Sequence, residues 1–132
     1  MMLMSQAANV LNGELTGADV LFTSVSKDTR DIVNGSLYVA IKGEHFDGHE
    51  FLEKASVAGA SGALVSEHQS VQLPQICVND TRLALGELAA HWRQRYAGKV
   101  VGITGSNGKT TVKEMTRSIL EHAAGADHVL ST

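Results

Sequence analysis

The sequence has almost no cysteine, no long apolar run and no cluster of basic residues. Its single cysteine, Cys77, excludes an internal disulfide, and its place in the apolar run 75–78 predicts a small buried side chain. No stretch of 18 apolar residues is present to cross a membrane, and the first basic residue is Lys27, so the start lacks the charged region of a secretory signal. We therefore expect a cytoplasmic protein without a membrane partner.

The charge distribution argues against nucleic acid as a partner. The formal net charge is -3, with 11 basic and 14 acidic residues, and the basic residues are scattered along the chain. Arg93 and Arg95 come nearest to a cluster, but they are better explained as the solvated side of a helix. Apolar residues make up 43% of the 132 residues and charged residues 19%, which is typical of a folded globular domain.

Apolar spacing predicts alternating helices and strands through the first hundred residues. The predicted elements are a helix over 3–11 ended by Asn12-Gly13, strands over 20–25 and 37–41, a helix over 50–58, and strands over 62–65 and 75–78. Asn79, Asp80 and Thr81 offer capping side chains to a further helix. Its predicted apolar stripe consists of Leu85, Leu88, Ala89, Trp92 and Tyr96. This alternation indicates an α/β domain with a mixed sheet over residues 1–97.

A second unit is predicted to begin at the Gly98-Lys99 joint and to occupy residues 98–132. It consists of a strand over 100–104, a glycine-containing loop, and a helix from about Lys109. The apolar face of that helix carries Val112, Met115, Thr116, Ile119 and Leu120. A last strand is predicted over 128–131. A strand, a glycine loop with a lysine and an immediate helix are the context of a phosphate-binding loop, so we expect the start of a P-loop-type ATPase domain.

The loop has the residue types that a triphosphate requires. Gly105 and Gly108 allow the backbone to approach phosphate oxygens, and Lys109 supplies a cation for the β- and γ-phosphates. Thr110 carries the hydroxyl expected to bind Mg²⁺, while Ser106, Asn107 and Thr111 complete the predicted ATP site. The general pattern G-x-x-x-x-G-K-[ST] is incomplete, because Ile103 occupies its first glycine position. The alternative is a simple glycine turn with an exposed lysine.

The variant loop Thr104-Gly105-Ser106-Asn107-Gly108-Lys109-Thr110-Thr111 resembles the ATP loop of the Mur ligase family, T-G-x-N-G-K-[ST]. Upstream segments resemble the same family in order and spacing. They are Asp28-Thr29-Arg30, the run 35–43, Phe46-Asp47-Gly48-His49 with Phe51, and the run 80–89. Within the family, the run 112–116 and the segment 47–51 resemble the ligases whose acceptor is D-alanyl-D-alanine.

The resemblance implies an N-terminal domain that holds the uridine nucleotide end of the substrate, followed by an ATPase domain. It assigns the uridine diphosphate to Asp28, Thr29 and Arg30 and to the segment Lys42, Gly43, Glu44, His45 and Phe46. Two alternatives stay open at this point. Asp28 and Arg30 can instead form an ion pair that closes a turn, and Lys42 can be a solvated strand end. A metal site at His45, Asp47 and His49 is not expected, and Asp47-Gly48 is better explained as a turn.

The implied reaction is an ATP-dependent amide ligation in peptidoglycan precursor synthesis. ATP phosphorylates the carboxylate of UDP-N-acetylmuramoyl-tripeptide, and the amine of D-alanyl-D-alanine displaces phosphate from the acyl phosphate, with ATP and Mg²⁺ as cofactors and Lys109 and Thr110 as catalytic residues. Alternatives are a sister ligase with another acceptor and a uridine-nucleotide-binding module without catalysis. After Thr111 the only acidic residues are Glu114, Glu121 and Asp127, none well placed to bind metal, so the chain alone is predicted to be an inactive monomer.

Overall fold

The computed structural model describes residues 1–131, and the chain divides into two compact units, Met1–Tyr96 and Ala97–Thr132. The second unit is predicted to end at Thr132, and that residue lies outside the described residues. Within the described range, no helix is both long and apolar enough to cross a bilayer.

The first unit is an α/β domain, as predicted. Its elements are β1 (Met2–Leu3), α1 (Met4–Leu11), β2 (Glu14–Thr16), β3 (Leu21–Phe22), β4 (Ser24–Ser26), β5 (Ser36–Val39), a short 3-10 helix (Gly48–Phe51), α2 (Leu52–Val57), β6 (Ala60–Val65), β7 (Gln75–Cys77) and α3 (Thr81–Gln94). The main sheet has the order β2-β7-β6-β5-β4, with β4 to β7 parallel and β2 antiparallel at one edge. Strands β1 and β3 form a separate antiparallel pair.

The central strands β5, β6 and β7 are buried on both faces of the sheet, as expected when helices connect parallel strands. Along β5, Leu37 and Val39 pack with α1 and α3, whereas Tyr38 and Ala40 pack on the α2 side. This alternation follows from the two-residue period of a strand. Cys77, expected to be buried, is half-buried against the α2 side.

Local capping signals set the helix ends. Asn12 adopts a left-handed conformation with φ 49° directly after α1, which ends that helix at the predicted stop. The Asp80 carboxylate accepts hydrogen bonds from the backbone N–H groups of Arg82 and Leu83, at 2.8 and 3.0 Å, and begins α3. The apolar stripe of α3 is narrower than predicted, because Ala89 and Tyr96 are exposed and the buried positions are Thr81, Ala84 and Leu88.

The predicted single strand over 20–25 is wrong. Phe22 is buried in the core and pairs with β1, whereas Ser24 begins β4 in the main sheet. Between them the Thr23 N–H donates to the carbonyl of Gly35, at 2.9 Å, and the chain changes sheets there. The sequence pattern also missed the short strands β1 and β2.

The second unit contains α4 (Lys109–Ala124), followed by a 3-10 turn over Ala126–His128. The strands predicted over 100–104 and 128–131 are absent from the described part of this unit. A strand requires a neighbour to accept its hydrogen bonds, whereas the hydrogen bonds of α4 are internal to the helix. The apolar residues of α4 are exposed: Val112, Met115, Ile119 and Leu120.

Candidate functional site

The glycine loop of the second unit leads directly into α4. Gly105 has φ 152° and Gly108 has φ 74°, and both values favour glycine over residues with a Cβ. Gly108 is the N-cap, and its carbonyl accepts the first helical hydrogen bond from Val112 N at 2.9 Å. Among residues 1–131, no side chain caps this helix end. The first-turn amides therefore keep their capacity to bind an anion.

The lysine lies across this loop. Lys109 Nζ donates to the Gly105 carbonyl oxygen at 2.5 Å, and residues 104–111 are all exposed. The predicted ATP-site residues thus surround one short turn, with the cation folded over it and the Thr110 hydroxyl in the first helical turn. The structure contains no group of three or more His, Cys, Asp or Glu side chains able to hold a metal, counted over the described residues.

In the first unit, the predicted uridine-site residues lie at the edge of the main sheet that is formed by the carboxyl ends of its parallel strands. Asp28, Thr29 and Arg30 follow β4, and the segment from Lys42 to Phe46 follows β5. Because β4 to β7 are parallel, the residues after each strand meet at the same edge, which is where α/β sheets commonly bind ligands. Ser66 and Asn79 reach this edge from β6 and β7.

Asp28 and Arg30 form the turn-closing ion pair that the sequence left open as an alternative. Asp28 accepts from Arg30 N and Nε, each at 2.9 Å, and from its terminal nitrogen at 2.5 Å. The side-chain hydrogen bonds from Arg30 hold the pKa of Asp28 well below its usual range. Arg30 is still 83% exposed, so its guanidinium also faces solvent.

Lys42 begins a small loop that we call the 42–47 hairpin. Lys42 and Asp47 form an antiparallel bridge, and Gly43 N donates to the Phe46 carbonyl at 2.9 Å. The Lys42 ammonium lies 3.6 Å from an Asp47 carboxylate oxygen and is 72% exposed. Phe46 is 59% exposed, with its ring over Gly43. The hairpin therefore presents a cation and an aromatic ring to solvent.

Two adjoining hollows of about 190 and 280 Å³ open at this edge of the sheet. Lys42 and Ser66 line both. The first is also lined by Asp47, His49, Glu50, Glu67 and Gln69, and the second by Ile41, Asn79, Asp80, Thr81 and Arg82. Of the predicted uridine-site residues, only Lys42 lines either hollow, so sequence reasoning missed most of the lining. The run Asp47-Gly48-His49 is the available signal, but the sequence alone supports only a family resemblance there and a turn at Asp47-Gly48.

Asp47, His49 and Ser66 are joined by hydrogen bonds. His49 Nδ1 lies 2.5 Å from Asp47 Oδ1, and His49 Nε2 lies 3.0 Å from Ser66 N and 3.2 Å from Ser66 Oγ. The order resembles a nucleophile triad, but the Ser66 backbone N–H already donates to the Nε2 lone pair. The Ser66 hydroxyl is consequently not activated as a nucleophile. Hydrogen bonds from the His49 backbone and side chain lower the pKa of Asp47.

Comparison with known proteins bears on both units. Residues 21–93 match the model of the "Mur ligase family, catalytic domain", and residues 103–132 match that of the "Mur ligase middle domain". The UDP-N-acetylmuramoyl-tripeptide--D-alanyl-D-alanine ligase of Escherichia coli is 53% identical over 117 residues, which is 89% of this chain and 26% of that protein. The chain thus spans about a quarter of the length of this relative.

Solved structures of the same family resemble this chain in fold. A crystal structure of MurF from Acinetobacter baumannii superimposes with a TM-score of 0.80 and 36% identity, covering 89% of this chain and 27% of that one. MurF ligase from Thermotoga maritima, solved in complex with ADP, gives a TM-score of 0.68 and 31% identity over 80% of this chain and 25% of that one. With a family model covering more than half of its residues, the chain belongs to the Mur ligase family.

Proposed function

We propose that the protein containing this chain is the ATP-dependent ligase that joins D-alanyl-D-alanine to UDP-N-acetylmuramoyl-tripeptide in peptidoglycan precursor synthesis. The observation that carries the proposal is the uncapped start of α4, with Lys109 folded across a turn containing two glycines at positive φ. The similarity to a ligase of that name at 53% identity supports the choice of acceptor. The proposal places the reaction in the cytoplasm.

The loop geometry fits ATP. The first-turn amides of α4 and the Lys109 ammonium provide convergent donors for phosphate oxygens, and Thr110 provides a hydroxyl for Mg²⁺. Bound Mg²⁺-ATP supplies the phosphoryl group that activates a carboxylate for amide formation. In this arrangement Lys109 leaves the Gly105 carbonyl and moves to the phosphates, while Ser106, Asn107 and Thr111 add hydrogen bonds. These residues orient the nucleotide and offset its charge.

The uridine nucleotide belongs to the first unit in this proposal. Lys42 and Arg30 are exposed cations at the carboxyl edge of the parallel sheet and suit a diphosphate. The exposed ring of Phe46 offers a surface on which uracil can stack. Thr29, Gly43, Glu44 and His45 complete the proposed contacts through backbone and polar side-chain groups.

For these 132 residues by themselves, a uridine-nucleotide-binding module without catalysis is the second candidate function. It is favoured because residues 1–131 contain no acidic cluster that could complete a metal site beside Thr110. Both candidate functions place uridine-nucleotide binding in the first unit. Only the ligase function requires the rest of the ligase.

Calorimetric titration of UDP, UDP-N-acetylmuramoyl-tripeptide and ATP, each separately, into this chain tests the proposal. We expect uridine-nucleotide binding that does not depend on ATP and that weakens in Thr29→Ala and in Lys42→Ala. Unchanged uridine-nucleotide affinity in both variants would show that the uridine site is not at this edge of the sheet. The full ligase should release ADP only when ATP, UDP-N-acetylmuramoyl-tripeptide and D-alanyl-D-alanine are all present. ADP release that does not depend on the two peptide substrates would contradict the proposed reaction.

A further inference from the structure

The 42–47 hairpin is fastened to the sheet at its base. Gly48 N donates to the Ile41 carbonyl at 3.0 Å, and the buried Tyr38 hydroxyl donates to the Gly48 carbonyl at 3.0 Å. These bonds fix where the hairpin leaves the sheet. They do not reach the Lys42 ammonium, which lies 3.6 Å from Asp47 and is mostly exposed.

The ring of His49 connects the hairpin to the end of β6. Its side chain is only 9% exposed. The Ser66 backbone N–H can only donate, so Nε2 is the acceptor at 3.0 Å. The proton of the neutral ring is then on Nδ1, which donates to Asp47 Oδ1 at 2.5 Å. One ring therefore links a residue after β6 to the carboxylate that faces Lys42.

Asp47 uses its two oxygens for different partners. Oδ1 accepts from His49 N at 3.0 Å and from the His49 ring, whereas Oδ2 is the oxygen near Lys42 Nζ. Holding Oδ1 from two directions fixes the plane of the carboxylate. The position of Oδ2, and hence the preferred position of the Lys42 ammonium, follows from that plane.

We propose that His49 is a positioning residue for uridine-nucleotide binding: through Asp47 it holds Lys42 at the mouth of the two hollows, where the ammonium meets the diphosphate. This inference rests on the proposed uridine site. It assigns His49 no contact with the nucleotide and no role in proton transfer. The ring acts only by restricting where one cation can be.

Two substitutions separate the two hydrogen bonds of the ring. His49→Asn places an amide N–H near the position of Nδ1 and can retain the bond to Asp47, while losing Ser66. His49→Gln places a carbonyl oxygen near the position of Nε2 and can retain the bond from Ser66, while losing Asp47. If the ring acts through Asp47, His49→Gln should weaken UDP binding about tenfold, as for loss of one charge-assisted contact, and His49→Asn should recover most of that loss.

The measurement is UDP affinity by calorimetry, with thermal denaturation of each variant to exclude unfolding. His91→Gln, a histidine substitution on α3 that lines neither hollow, is the matched control. The deciding measurement adds His49→Gln to the Lys42→Ala variant. Because the ammonium is already absent there, His49→Gln should cause no further loss of UDP affinity. Should His49→Gln fail to fold, Asp47→Asn keeps the His49 to Ser66 bond and should show the same dependence on Lys42.

The outcomes distinguish this inference from the function on which it rests. If the unsubstituted chain does not bind UDP, the proposed uridine site fails, and the inference fails with it. The chain can bind UDP while His49→Gln has the same UDP affinity as the unsubstituted chain, or while His49→Asn binds UDP as weakly as His49→Gln. In either case the uridine site stands and the positioning role is wrong. An equal loss from His49→Gln with and without Lys42 would likewise show that the ring does not act through Lys42.

Discussion

Gly48→Ala is the substitution whose cost the structure defines most sharply. A Cβ at this buried position would lie 2.7 Å from Ile41 N, 2.8 Å from Ile41 O and 3.0 Å from Ala40 C. All three are backbone atoms of the chain leaving β5, so no side-chain rotation can relieve the contact. The backbone must separate, and that movement stretches the hydrogen bond from Gly48 N to Ile41 O and the bond from the Tyr38 hydroxyl to Gly48 O.

The expected cost is the sum of overpacking and weakened hydrogen bonding. Forcing a methyl group into a packed site costs about 1–3 kcal/mol, and weakening the two hydrogen bonds costs together about 1 kcal/mol, so we expect a destabilisation of about 2–4 kcal/mol. For a unit of this size that lowers the melting temperature by at least about 8 °C. The 42–47 hairpin should shift as well, so UDP affinity should fall even at temperatures where the variant is folded.

Gly86→Ala is the matched control. It makes the same chemical change in the exposed part of α3, where an added Cβ would meet no described atom within 4 Å apart from its chain neighbours and the backbone of its own helix. Alanine favours the helix, so this variant should be more stable than the unsubstituted chain by roughly 0.5–1 kcal/mol. The assays are thermal denaturation and UDP calorimetry. A Gly48→Ala variant as stable as the unsubstituted chain, with the same UDP affinity, would refute the reasoning.

Three further predictions concern other parts of the molecule. Lys109→Ala should weaken ATP binding at least about tenfold by calorimetry, whereas Arg117→Ala, which removes a charge elsewhere on α4, should not; equal losses would make the effect one of net charge. Asp80→Ala should cost about 1 kcal/mol in thermal denaturation, because two backbone N–H groups lose their cap. The lowered pKa of Asp47 means that its contribution to stability is present above the ordinary carboxyl pKa of about 4 and is lost as pH falls through the lowered value. Urea unfolding from pH 5 downwards should therefore show a shallower decline in Asp47→Asn.

The sequence predicted those parts of the fold that depend on neighbouring residues. Asn12 ends α1 and Asp80 begins α3 through hydrogen bonds to groups within five residues, and the loop before α4 is likewise contiguous. The sequence did not predict where strands find partners. The split at Thr23 depends on a carbonyl twelve residues later, and residues 100–104 lack a neighbouring strand in the described structure despite their apolar composition.

The same distinction separates the two candidate sites. Residues 105–111 could be singled out because a phosphate loop is a local structure, with glycines, lysine and helix start in one run. The hollows beside Lys42 are instead built from residues that follow three different strands. Ser66, which lines both, has no feature in the sequence that marks it. Only the parallel order of β5, β6 and β7 brings it next to His49.

The run Asp47-Gly48-His49 shows why a short motif can hold more information than a turn requires. Gly48 allows the chain to return against Ile41 without a clash, and that close approach sets the direction of the residues on either side. Asp47 is then directed back toward Lys42, and the ring of His49 reaches Ser66, the residue after β6. A carboxylate, an absent side chain and an imidazole are needed at consecutive positions for three separate reasons. A turn alone would accept several other residues at each of them, so the positioning of Lys42 accounts for the combination better than chain reversal does.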